Sequence, residues 1–359
     1  MTLFDNDAQT YDAILIVSFG GPEGPDDVMP FLDNVLAGLR VPPPVKARIA
    51  QRYHRFGGVS PINLHTREFI AALERELAAS GPRLPVYWGN RNWHPMLGDT
   101  LARMAEDGID RAIAYVTSTF SSYSGCRKYR EDLYTAVDGL DGAPRIDKLR
   151  LGYNHPGFIG AMVDRLRDAF LRTRATRRQS ATERQPALLF TAHSLPLSMA
   201  KACDYVAQLR EACSLTAEMA GAGRWELVYQ SQNASYGEAW LGPDIGEALE
   251  SVRAADHADV VVAPIGFVCD HMEVVLDLDV EAAQKADELG LNMVRAGTVG
   301  IHPAYVRMVR DMIVERMTPD PARPVLGNRA PNHDFCPADC CLSGRPGEPR
   351  GALCGAELT

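Results

Sequence analysis

No stretch of this sequence approaches the ~20 consecutive apolar residues that a helix needs to cross a bilayer. Residues Met1 to Asp12 carry no positive segment followed by an apolar core, so no export signal is predicted and the expected compartment is the cytoplasm. Basic charge is also short. Lys and Arg number 37 against 46 Asp and Glu, a net charge of −9, which argues against the basic surface that a nucleic-acid partner requires. A dinucleotide fingerprint is missing too, because the glycines of Gly20-Gly21-Pro22-Glu23-Gly24 lack the G-x-G-x-x-G spacing. Cysteine is thin in the body of the chain, where Cys126, Cys203, Cys213 and Cys269 lie far apart. Four more crowd into the tail as Cys336, Cys340, Cys341 and Cys354, and in a chain without an export signal such a cluster reads as metal ligands rather than disulfides.

What is present is an ordinary globular balance, 46% hydrophobic and 23% charged, in 359 residues, enough for two domains or one large one. Short apolar runs at Ile14 to Phe19, Val86 to Trp88, Ala112 to Val116, Leu188 to Ala192, Leu227 to Gln230 and Val260 to Val262 read as strands, as do the more polar segments Arg145 to Leu151 and Asn292 to Arg295. Amphipathic segments separate them, among them Leu64 to Ala79, Met96 to Asp107, Pro156 to Leu171, Ser198 to Ala220 and Pro303 to Met317. This alternation predicts an α/β protein of two Rossmann-like halves, each a parallel sheet flanked by helices. The halves span 1–173 and 187–317, joined by a mobile connection over 174–186. The segment Arg172 to Gln185 has five arginines and almost no apolar residue, so it is expected to be a loop. Beyond Thr318 the tail, 318–359, is too poor in apolar residues to fold without help, and a metal could supply it.

Chemistry concentrates where predicted strands stop. Asp259 to Glu281 reads as a buried strand, a turn with Cys269, Asp270, His271 and Glu273, and then a helix placing Glu273, Asp277 and Glu281 on one stripe. The stripe is either a solvated polar face or a place for cations and protons. A second strand, Leu188 to Ala192, ends at His193-Ser194-Leu195-Pro196. Ligands of open α/β sheets bind past the carboxyl ends of strands. Imidazole nitrogen and carboxylate oxygen together suit a divalent first-row metal or a general-base pair, whereas a lone His in a turn is more often structural. Phe19 and the hydroxyl-rich segment Ser121 to Tyr129 also follow strands, so with His193 and Glu273 they are expected to face one cleft between the halves. The basic helix carrying Lys46, Arg48, Arg52 and Arg55 serves either an anionic ligand or plain solvent.

Thr191-Ala192-His193-Ser194-Leu195-Pro196, Gln230-Ser231 with Trp240-Leu241-Gly242-Pro243, the run Pro264 to Glu273 and Gly57-Gly58-Val59-Ser60-Pro61 together resemble the ferrochelatases, over roughly residues 12 to 317. The acidic body and Cys-rich tail look closest to the actinobacterial branch. The resemblance implies a chelatase-like fold and a lyase that inserts ferrous iron, its substrate, into coproporphyrin III in haem biosynthesis, with transient contacts to neighbouring haem-pathway enzymes. It makes His193 and Glu273 the catalytic and metal-site pair, Asp277 and Glu281 an acidic relay, and Ser60 and Tyr129 porphyrin contacts. Arg52 and Tyr53 would serve the propionates. Phe19 stands where several relatives have a tyrosine able to ligate the product iron. Some microbial relatives carry a two-iron two-sulfur cluster, which here implies Cys126, Cys336, Cys340 and Cys341 as ligands, with Cys354 as the alternative fourth and zinc on the four tail cysteines as the rival. Protoporphyrin IX as substrate, a cobalt chelatase and a non-catalytic tetrapyrrole carrier are the competing functions.

Overall fold

The computed structural model describes residues 3–39, 41–176, 184–232, 238–344 and 350–353. Strand β1 (Ala13–Ser18) carries no charge and all six of its residues are buried, as expected of a strand covered on both faces. It lies inside a four-stranded parallel sheet of order β2-β1-β3-β4, with β2 at Val86–Asn90, β3 at Arg111–Val116 and β4 at Arg145–Lys148. The second sheet repeats the arrangement. Strands β5 (Ala187–His193), β6 (Trp225–Gln230), β7 (Asp259–Ala263) and β8 (Asn292–Arg295) take the order β6-β5-β7-β8, again all parallel. In each sheet the strand order reverses beside its first strand. That is where a crevice opens past the carboxyl ends in doubly wound folds.

Helices and one apolar cluster join the two sheets. The cluster runs from Ile14, Phe69 and Tyr115 of the first half to Phe190, Val261 and Tyr305 of the second. The helix Pro303–Arg316 packs on the helices Pro156–Thr176 and Ile62–Ser80, so the last helix of the chain closes against an early one. The loop expected over Arg172 to Gln185 begins later than the composition suggests, because the helix continues through Thr176. Its end is held by the second sheet: Arg172 pairs with Asp168 and donates to the Arg295 carbonyl, and Thr176 bonds the Asn292 side chain. Residues 177–183, the rest of that connection, lie outside the described residues.

The tail is laid over the body by polar contacts in place of an apolar core. Arg316 and Arg323 both pair with the buried Asp334, and Phe335 N–H donates to the Leu3 carbonyl. Arg127 reaches the carbonyls of Ala338, Cys340 and Arg350, and Arg130 that of Leu353. Among the described residues no helix is long and apolar enough to cross a membrane.

Arg150, just past β4, makes a two-pronged ion pair with Glu315 at 2.8 Å on each prong, and both side chains are buried. Removing one partner strands a charge in the interior. Arg150→Met should therefore cost ~3–5 kcal/mol of unfolding free energy in a urea titration. Adding Glu315→Leu should restore much of the loss. A single variant as stable as the parent would show that the pair is not what holds this helix down.

Candidate active site

The strand ends of both sheets converge on a cleft of about 320 Å³, within the ~300–1,000 Å³ usual for small-molecule sites. Phe19 follows β1, Ser122 to Tyr129 follow β3, His193 ends β5 and Glu273 lies beyond β7, and all of these segments line it. Ser60 and Tyr53 complete the wall on the first half. Arg52 is exposed on the helix Pro43–His54, which also carries Tyr53, but is not part of the lining. Thus His193, Glu273, Ser60 and Tyr129, four side chains distant in sequence, share one cavity.

A glycine makes the meeting of β5 and β7 feasible. A Cβ on Gly266 would lie 2.6 Å from the Ala192 Cβ, so without a side chain the loop after β7 can press against the end of β5. That approach carries Glu273 to His193, with Oε2 3.6 Å from Nε2. The other imidazole nitrogen fixes the tautomer. Nδ1 sits 2.5 Å from the Ser194 carbonyl, which accepts only, so Nδ1 bears the hydrogen and Nε2 presents a lone pair to the cleft. Both side chains keep partial contact with solvent, 33% exposed for His193 and 51% for Glu273.

Behind Glu273 the chain forms a π-helical segment, Val275–Ala282, in place of the expected α-helix. Such segments are uncommon and gather at functional sites. Of the three acidic residues, Glu273 and Glu281 are exposed and Asp277 is buried. Asp277 accepts from the Ser231 hydroxyl, a residue held at the uncommon φ of +61°, and Gln230 Nε2 approaches the Asp277 carboxylate and the Glu273 carbonyl. Burial, then the charges of Glu273 and Glu281, push the Asp277 pKa up to about 6 against the lowering bond from Ser231. His271, which the sequence showed in the turn without a role, caps this helix: its Nδ1 accepts from the N–H groups of Glu273 and Val274. Its ring stands edge-on to Phe267, and burial lowers its pKa. Cys269 also lines the cleft, but burial pushes its thiol up to about 12, so it stays neutral.

On the first-half wall the Arg91 guanidinium lies 4.5 Å from the Tyr129 ring and 5.6 Å from the Phe19 ring while pairing with Asp132. Phe19 offers carbon alone to the cavity and cannot ligate a metal. Burial raises the Tyr53 pKa, helped by the Glu273 carboxylate across the cleft, so its phenol stays protonated.

A second assembly lies on the far side of the π-helical turn Tyr123–Arg127. Cys126 on that turn hydrogen-bonds the thiols of Cys336 and Cys341, and Cys340 those of Cys336 and Cys341, with Cys340 Sγ 3.4 Å from Cys341 Sγ. The bonds from Cys336 and Cys341 hold both Cys126 and Cys340 well below the ordinary thiol range, while Cys341 is driven up by its bond to Cys126. The charges of Lys148 and Arg130 also lower the Cys126 thiol. His333, not among the ligands expected from the sequence, brings Nε2 to 3.9 Å from Cys340 Sγ. Cys354 lies outside the described residues.

Comparison with known proteins agrees with this architecture. The Ferrochelatase family model matches residues 11–317. A protein of Rhodopirellula baltica named Ferrochelatase is 49% identical over 92% of this chain and 93% of its own length. One of Streptomyces coelicolor named Coproporphyrin III ferrochelatase is 44% identical over 98% of each chain. Among solved structures, SirB from Bacillus subtilis with Fe3+ superposes with a TM-score of 0.53 at 14% identity, covering 86% of this chain and 96% of that one, a likeness of fold.

The buried Asp277 gives a pH signature of known sign. Its pKa is raised on folding, so between about pH 4 and about pH 6 the folded chain holds a proton that the unfolded chain has released. Stability contributed by this group is therefore lost as pH rises through that window. Asp277→Asn removes the component, and its urea midpoint should gain on that of the parent from pH 4 to pH 6. Parallel pH profiles for the two proteins would contradict the buried-acid assignment.

Proposed function

The chain belongs to the ferrochelatase family, and on that premise we propose that it inserts ferrous iron into coproporphyrin III to give iron coproporphyrin III in haem biosynthesis. The observation that carries the reading is the His193 Nε2 lone pair beside Glu273, 3.6 Å away, in a cleft lined by aromatic rings from both halves. A free-base porphyrin holds two pyrrole N–H groups, and the entry of a divalent ion releases both protons. His193 is oriented to accept one at Nε2, because the Ser194 carbonyl fixes the hydrogen on Nδ1. Glu273 offers the incoming ion a hard oxygen and takes up proton charge beside it. Asp277, poised at a pKa of about 6, is the next acceptor inward, and the exposed Glu281 continues the line to solvent. Phe19, Tyr129 and Tyr53 provide ring faces and edges for the macrocycle, and Ser60 a hydroxyl at its rim. Coproporphyrin III has four propionates against two in protoporphyrin IX. Arg52, exposed on the helix that delivers Tyr53, would serve a substrate richer in carboxylates.

Cys126, Cys336, Cys340 and Cys341 fit a two-iron two-sulfur cluster in number and in chemistry, four soft sulfurs in mutual contact where the tail meets the Cys126 turn. Such a cluster supplies one-electron exchange when bound. Metal insertion transfers no electron, so these residues act on the reaction by fastening the tail to the Cys126 turn.

His193→Ala and Glu273→Ala should each lower kcat/KM for iron insertion by ~10²–10⁴-fold, the usual worth of a positioned acid–base group. Wild-type rates in either variant would remove the pair from the mechanism. Coproporphyrin III should be turned over faster than protoporphyrin IX, and the reverse order would overturn the substrate assignment. The pure protein should absorb in the visible and contain iron with acid-labile sulfide. A colourless protein carrying stoichiometric zinc would replace the cluster with a structural metal.

A further inference from the structure

Among the described residues, five metal-binding side chains crowd the corner where a two-iron two-sulfur cluster needs four. His333 Nε2 and the sulfurs of Cys336 and Cys340 all lie within 4.8 Å of one another, close enough to share one ion. The five are not equivalent. Cys126 and Cys336 are each 2% exposed and belong to the interior. Cys340 and His333 are half-buried and, together with Cys341, line an open polar cavity of about 580 Å³ beside Lys201, Asp204 and Arg329. Solvent and small reagents therefore reach Cys340 before the interior thiols, and the imidazole stands on the same side.

We propose that His333 is a reserve ligand for this corner, taking the coordination position of Cys340 when that thiolate is lost, so that the cluster persists on Cys126, Cys336, Cys341 and His333. The proposal rests on the cluster assignment of the four thiols. In the exchange an iron–sulfur bond to Cys340 breaks and an iron–nitrogen bond to His333 Nε2 forms, with no electron moved. A neutral imidazole in place of an anionic thiolate leaves the cluster one unit less negative and raises its reduction potential, the direction seen when His replaces Cys on such centres. An exposed corner backed by a second donor keeps its metal where a four-thiol site would shed it.

Iron, acid-labile sulfide and visible absorption of the wild-type protein come first: a protein without a cluster removes the premise, and with it the proposal. With a cluster in the wild type, Cys340→Ala should keep full iron and sulfide content with a shifted visible band and altered electron paramagnetic resonance g values. Cys336→Ala and the double variant Cys340→Ala/His333→Ala should lose it. Loss from Cys340→Ala, or retention by the double variant, overturns the reserve role. His333→Ala alone keeps all four thiols and should fold with the wild-type spectrum. Under iodoacetamide it should lose the visible band while the wild type retains a shifted one, and equal loss from both proteins would sink the proposal even if the Cys340 variants failed to fold.

Discussion

The approach of the loop after β7 to the end of β5 is the constraint on which the site depends. Gly266 against Ala192 sets how close two strand exits come, and the imidazole and carboxylate that follow inherit their 3.6 Å separation from it. Neither side chain is buried deeply enough to be inert, and neither is loose. One is tied through Nδ1 to the Ser194 carbonyl, and the other is carried on a helix whose first turn His271 caps. A pair that accepts protons and holds an ion needs that balance, because desolvating both groups would neutralise them.

Burial alternates along the helix behind the pair. Glu273 and Glu281 face solvent, while Asp277 between them is buried and raised to about 6. Like charges on one stripe repel when all are ionised, and burial lets the middle one take up a proton at a pH of about 6, where an ordinary aspartate stays charged. The bond from Ser231, in its unusual backbone conformation, keeps that carboxyl from retreating further into its neutral form.

Much of this was legible in the residues themselves. Unbroken β-branched and apolar runs such as Val260 to Val262 marked strands covered on both faces, and the positions after them marked the cleft. The π-helical segments were not legible, since three carboxylates four apart lie on one side of an α-helix and of its wider relative alike. The helix end at Arg172 to Thr176 escaped notice because its partners, Arg295 and Asn292, come from a strand more than a hundred residues later. His333 gave no periodic signal in a tail of proline, glycine and cysteine. Its one cue was the spacing His333-x2-Cys336-x3-Cys340, and the juxtaposition with Cys126 is purely tertiary.

The turn Tyr123–Arg127 faces two ways. Ser122, Ser124 and Gly125 line the cleft, whereas Cys126 joins the tail thiols and the buried Arg127 spends its guanidinium on tail carbonyls and Glu131. The tail is thus a splint for one wall of the substrate cavity, although its described residues do not line that cavity. A chain of this architecture that shed the splint would have to find Arg127 new acceptors or exchange it for an apolar residue.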